Sequence, residues 1–118
     1  VSKLILTFSR PGKPKPRPRG KGKHFYNPPD YTEWKADIAE EVALRYRKAH
    51  FKGPVSIGIS FARKTFTVTI EETDRQRHGR SDIDNLAGGV LDALQDAGII
   101  ENDRFVTVLE AWFDVETD

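Results

Sequence analysis

"VSIGISFARKTFTVTI", Val55 to Ile70, is the stretch on which the fold turns. Val55, Ile57, Ile59 and Phe61 alternate with small or polar residues, and Phe66, Val68 and Ile70 repeat the alternation. A period of two sends one set of side chains to one face of an extended chain, so both runs are expected to be strands with one buried face.

The flanking sequence supplies partners for such a face. "KLILTF", Lys3 to Phe8, is short, apolar and ended by Ser9, Arg10 and Pro11, which suits a buried strand better than a six-residue helix. In "NPPDYTEWKADIAEEVALRYRKAH" two prolines precede Asp30, with Glu33 three residues on, a capping-box variant in which Asp replaces Ser or Thr. Trp34, Ile38, Val42 and Tyr46 then recur every fourth residue, an apolar helical stripe expected to be core. Leu86, Val90, Leu94 and Ala97 mark a second amphipathic helix, capped by Asp84 or Ser81 and ended by Gly98 in the left-handed conformation. "RFVTVLEAWFDV", Arg104 to Val115, alternates with apolar residues on both sides, as a central strand does. The expected fold class is α/β (α+β): one small domain over residues 1–118, with a mixed sheet of about four strands and two main helices.

Composition narrows the function classes. With 37% hydrophobic and 31% charged residues the chain is in the ordinary globular range, and no apolar run approaches the roughly 18 residues of a membrane span. No membrane partner is expected. There is no cysteine, which excludes a disulfide framework and zinc held by thiolates, and no charged-then-apolar leader, so a cytoplasmic location is expected. The net charge of +1 conceals a division: residues 1–80 carry 18 Lys/Arg against 8 Asp/Glu, and residues 81–118 carry 1 against 10. A basic part that attracts phosphate beside an acidic part that holds a cation suits a metal-dependent site on a polyanion, although mutual neutralisation of the two halves would leave the same counts.

The basic part is concentrated in a Pro/Gly-rich loop at 10–29. From Arg10 to Lys23 there are seven basic residues, no acids, four prolines and three glycines, which rules out a regular helix or ladder. Lys15, Arg17 and Arg19 alternate with prolines, so the backbone is biased to polyproline II and is cheaply ordered along a phosphate chain. A second basic group, Arg75, Arg77 and Arg80, lies in the polar run Glu71 to Ser81, where His78 is a weaker ligand candidate.

In "SDIDNLAGGVLDALQDAGIIENDRFV", Ser81 to Val106, Asp82 and Asp84 stand two apart ahead of the second helix, and Asp103 follows shortly after its end. If the chain is extended at Asp82 and Asp84, both side chains leave on one side, and a helix and turn bring Asp103 back toward them. Three oxygen ligands of this kind suit Mg²⁺, with Mn²⁺ as a substitute. Spacing alone leaves open the other reading, in which Asp82 and Asp84 are helix N-terminal acids and Asp103 is a turn residue.

This stretch resembles the motif of the RusA-like Holliday junction resolvases, crossover junction endodeoxyribonucleases in which Asp-x-Asp-Asn-Leu opens a helix containing Asp-Ala-Leu and a further Asp follows it. The likeness covers Asp82, Asp84, Asn85, Leu86, Leu91 to Leu94, Gly98 and Asp103. It implies that Asp82, Asp84 and Asp103 are catalytic metal ligands, that the enzyme is a homodimer of bacterial or phage origin, and that its substrate is branched DNA, especially four-way junctions. Paired symmetric nicks made with Mg²⁺ would then resolve the junction in DNA recombination and repair. One position departs from the family pattern: Gly88 stands where a Lys is usual, and Arg80 or Arg104 is the candidate to supply that charge. The departure keeps a second reading open, a non-catalytic module that binds branched DNA and uses the acids for a structural cation.

Overall fold

The alternation in the strands is realised as an antiparallel sheet. The structure is a computed structural model that describes residues 3–16, 29–46 and 49–115. Its elements are β1 (Lys3–Phe8), α1 (Pro29–Tyr46), β2 (Val55–Phe61), β3 (Phe66–Glu72), α2 (Ile83–Asp96) and a 3-10 turn at Asp103–Phe105. The chain divides into two compact units, Val1–Glu72 and Thr73–Asp118, described in turn below. No helix among the described residues is long and apolar enough to cross a membrane.

In the first unit the sheet order is β1-β3-β2, with β3 central. Register decides which side chains share a face. Leu4 is opposite Ile70, Leu6 opposite Val68 and Phe8 opposite Phe66, while Ile57, Ile59 and Phe61 of β2 oppose the same three β3 residues. All nine therefore point to one side of the sheet. Leu6, Phe8 and Phe66 are buried there, and the α1 stripe of Trp34, Ile38, Val42 and Tyr46 packs against them. The Phe8 and Phe66 rings stack at 4.7 Å between centroids, and Trp34 and Phe61 each approach Phe66 at 6.1 Å. Arg45 ties the end of α1 to β1 by donating to the Thr7 carbonyl at 3.4 Å, and it pairs with Glu41 at 3.0 Å.

The root of the basic loop lies along the start of α1. The Trp34 indole donates to the Pro11 carbonyl at 3.1 Å, Arg10 lies 3.5 Å from both Asp37 and Glu41, and Lys13 reaches Asp30 at 2.8 Å. Gly12 is required by a close approach, because a Cβ there would come within 2.6 Å of the Phe61 ring. The capping box expected at Asp30 does not form. The helix begins at Pro29, and the Asp30 carboxylate takes Lys13 and the Tyr31 N–H instead. Proline suits that first position because its missing N–H has no partner to lose.

The fourth strand expected over Arg104 to Val115 is absent from the sheet, which has three strands and is antiparallel rather than mixed among the described residues. The carbonyls of Phe113 and Asp114 are taken by the side chains of Arg75 and His78. A backbone acceptor held by a side chain is not available in the same geometry to a neighbouring strand.

Two measurements test this account. Phe66→Ala removes the ring shared by two strands and a helix and is expected to cost about 3 to 5 kcal/mol, read from the urea midpoint; Thr67→Ala, on the opposite face, is expected to cost under about 1. The hydrogen bond from Lys13 holds the Asp30 carboxyl below its ordinary value of 3.8. A depressed carboxyl pKa stabilises the fold above the ordinary value, and that contribution is lost as pH falls through the lowered one. Lys13→Gln should therefore return the Asp30 titration, followed by NMR, toward 3.8.

Candidate active site

The acidic stretch lies wholly in the second unit and is organised by α2. Ile83, Leu86, Ala87 and Val90 recur at helical spacing and line one wall of an open apolar groove of about 390 Å³, whose other wall is the segment Glu110 to Phe113. The helix ends as expected at Gly98, which adopts φ 76°. The Gly98 N–H bonds the Gln95 carbonyl and the Ile99 N–H bonds the Leu94 carbonyl, both at 3.0 Å, which satisfies two carbonyls of the last turn by the Schellman pattern.

Asp82 and Asp84 sit at the other end. Asp82 is the N-cap residue, with extended backbone at φ −74° and ψ 152°, but its side chain makes no capping hydrogen bond. Asp84 is already within the first helical turn, so the fully extended pairing expected from the sequence is not the geometry found. Both are exposed, and the Asp82 carboxylate stands 3.4 Å from Arg77 Nη1.

Asp103 is held elsewhere. It opens the 3-10 turn, is half-buried, and its backbone N–H donates to Gln95 Oε1 at 3.0 Å. Gln95 follows Asp84 by eleven residues, about 16 Å along a helix axis, so Asp103 is anchored toward the opposite end of α2 from the pair. Among the described residues no three acidic or histidine side chains form a group able to hold a metal ion. The structure brings Asp82 and Asp84 to one helix end and does not bring Asp103 to them.

The basic residues fall into three situations. Lys15 is exposed, and Arg17 and Arg19 lie outside the described residues. Arg75 donates to the Phe113 carbonyl at 3.1 Å with its guanidinium 5.9 Å from the centre of the Trp112 ring, and so fastens the loop. His78 acts beside it, with Nε2 2.8 Å from the Asp114 carbonyl and its ring edge-on to Phe113. Gly79, at φ 75°, turns the chain after His78 in the left-handed conformation that glycine adopts without strain. Of the two candidates to replace the family Lys, Arg80 is exposed and Arg104 lies over the neighbouring Phe105 ring at 5.1 Å. Gln95 as the anchor of Asp103, and Arg75 and His78 as loop fasteners, carry no motif that sequence reading detects.

These residues belong to a recognisable whole. The family model of Endodeoxyribonuclease RusA matches residues 9–118. The chain belongs to the RusA endodeoxyribonuclease family. No curated protein and no solved structure matches it. Membership in this family of Holliday junction resolvases gives the chain a nuclease function in general terms and connects it with DNA recombination and repair.

Within the RusA motif, Gly88 is not dictated by packing. An added Cβ at Gly88 or Gly89 would meet nothing within 4 Å. Gly88→Ala should therefore stabilise α2 by roughly 0.5 to 1 kcal/mol, read as a raised denaturation midpoint with an unchanged slope.

Proposed function

We propose that this RusA-family protein is a Mg²⁺-dependent endodeoxyribonuclease that resolves four-way DNA junctions by paired symmetric nicks, acting as a homodimer. The observation that carries the reading is the match of nearly the whole chain to the family, together with two exposed carboxylates at the start of α2, one of them unused by the helix it caps. The donor set fits the ion. Mg²⁺ takes oxygen ligands, often only one or two carboxylates completed by waters and substrate phosphates, and Asp82 and Asp84 supply two such carboxylates.

In this reading Asp82 and Asp84 would hold the ion, with Mn²⁺ able to substitute, and the Asp103 carboxylate, whose backbone N–H bonds Gln95, would be the third ligand. Bound Mg²⁺ would supply an activated water and neutralise charge on the scissile phosphate. The chain's own residues position the DNA. Lys15, Arg17 and Arg19 contact backbone phosphates from the loop, and Arg75, Arg77 and Arg80 form the second basic group; such contacts give affinity with steep salt dependence and little sequence reading. Hydrolysis by in-line attack of water leaves 5′-phosphate and 3′-hydroxyl ends, with no covalent enzyme intermediate.

A second reading is favoured by two specific observations: Gly88 in place of the family Lys, and Asp103 bonded at the far end of α2. On that reading the protein binds branched DNA without cutting it and uses the acids for a structural cation.

Incubation with a synthetic four-way junction in Mg²⁺, with binding followed in Ca²⁺, separates the two. Symmetric nicks are expected, reduced at least about 100-fold in Asp84→Asn while junction binding persists. Tight binding without nicks in Mg²⁺ or Mn²⁺ would establish the binding module instead.

A further inference from the structure

Arg77 is placed against an acidic residue of the candidate site. It lies between two fastened neighbours, since Arg75 is bonded to the Phe113 carbonyl and His78 to the Asp114 carbonyl. These two bonds fix the loop on either side of Arg77, and its guanidinium meets the Asp82 carboxylate at 3.4 Å. That carboxylate makes no bond to the helix it caps. Both side chains remain solvent-accessible, at 56% and 77% of their surface, so the pair is open to exchange.

We propose that Arg77 is a resident counter-cation for Asp82, which gives up the carboxylate when a divalent ion enters and turns to the phosphate arriving with it. The proposal rests on Asp82 being a metal ligand. An arginine serves this exchange because its charge is permanent and its fork of N–H groups donates to a carboxylate or to a phosphate alike. The free protein then has no uncompensated charge at Asp82, and the same residue that opposes metal without DNA favours the DNA once metal is bound. Metal and DNA would accordingly bind with positive coupling, and Arg77 would carry part of it.

The test is Mn²⁺ binding by the full chain without DNA, followed by the electron paramagnetic resonance signal of free Mn²⁺, alongside junction binding in Ca²⁺. Removing a partly exposed ion-pair partner is expected to tighten Mn²⁺ about two- to five-fold in Arg77→Gln and to weaken junction binding. Arg77→Lys should restore both toward the original values. Arg80→Gln removes the same charge from the same loop and should have less than half the effect on Mn²⁺. Equal effects of the two glutamine variants would reduce Arg77 to general electrostatics and overturn the proposal. An unchanged or weaker Mn²⁺ affinity in Arg77→Gln, with binding lost in Asp82→Asn, would overturn it while leaving the metal site standing. Absence of Mn²⁺ binding by the unsubstituted protein both without and with junction DNA would defeat both.

Discussion

The ring of Phe66 is where the first unit is held together. It begins the central strand, stacks on Phe8 of β1, and receives Phe61 of β2 and Trp34 of α1 at similar distances. Phe66, Leu6 and Phe8 make up the buried apolar set among the described residues, so the core rests on a few aromatic contacts. Trp34 couples this cluster to the basic loop, because its indole also donates to the Pro11 carbonyl. The core and the root of the loop are thereby one mechanical piece.

Geometry limits how far that piece extends. A helix is about 10 Å across and strands lie about 4.8 Å apart, so one helix covers about two strands. The α1 stripe packs with residues of β1 and β3, and Ile57, Ile59 and Phe61 of β2 stay more than half exposed on the same face. The second unit shows the same economy. The α2 stripe faces an open groove, with Val90 and Trp112 both more than half exposed.

Period and punctuation were the legible parts of the sequence. The apolar run Lys3 to Phe8 and the alternations in Val55 to Phe61 and Phe66 to Ile70 became strands, and the stripe from Trp34 to Tyr46 became the packed side of α1, but the face of β2 expected to be buried is exposed because α1 does not cover it. Gly98 ended α2 because the left-handed position is a local requirement that a single residue satisfies. What failed depended on partners distant in sequence. The Asp30 carboxylate takes Lys13, seventeen positions away, in place of a cap, and the last two carbonyls of the alternating run after Arg104, those of Phe113 and Asp114, take the side chains of Arg75 and His78. The acids divide in the same way. Asp82 and Asp84 are near neighbours, so spacing locates them together at one helix end, whereas the position of Asp103 is set by a hydrogen bond to Gln95 that no spacing rule contains.

The local charges around α2 bear on whether a cation there is structural. Carboxylates in the first turn of a helix are stabilised by the positive end of its dipole, and Asp82 has Arg77 as well. The acids are therefore compensated without metal, and the helix ends in a glycine turn that bonds two of its last carbonyls through backbone N–H groups. A structural cation is needed where folding would otherwise leave carboxylates buried and mutually repelling; Asp82 and Asp84 are exposed. On the proposed reading a divalent ion at this end would also work against the same dipole, and a phosphate arriving with it would add the negative charge that favours it. A site that needed its phosphate substrate for tight metal binding would suit the proposed nuclease better than a structural cation.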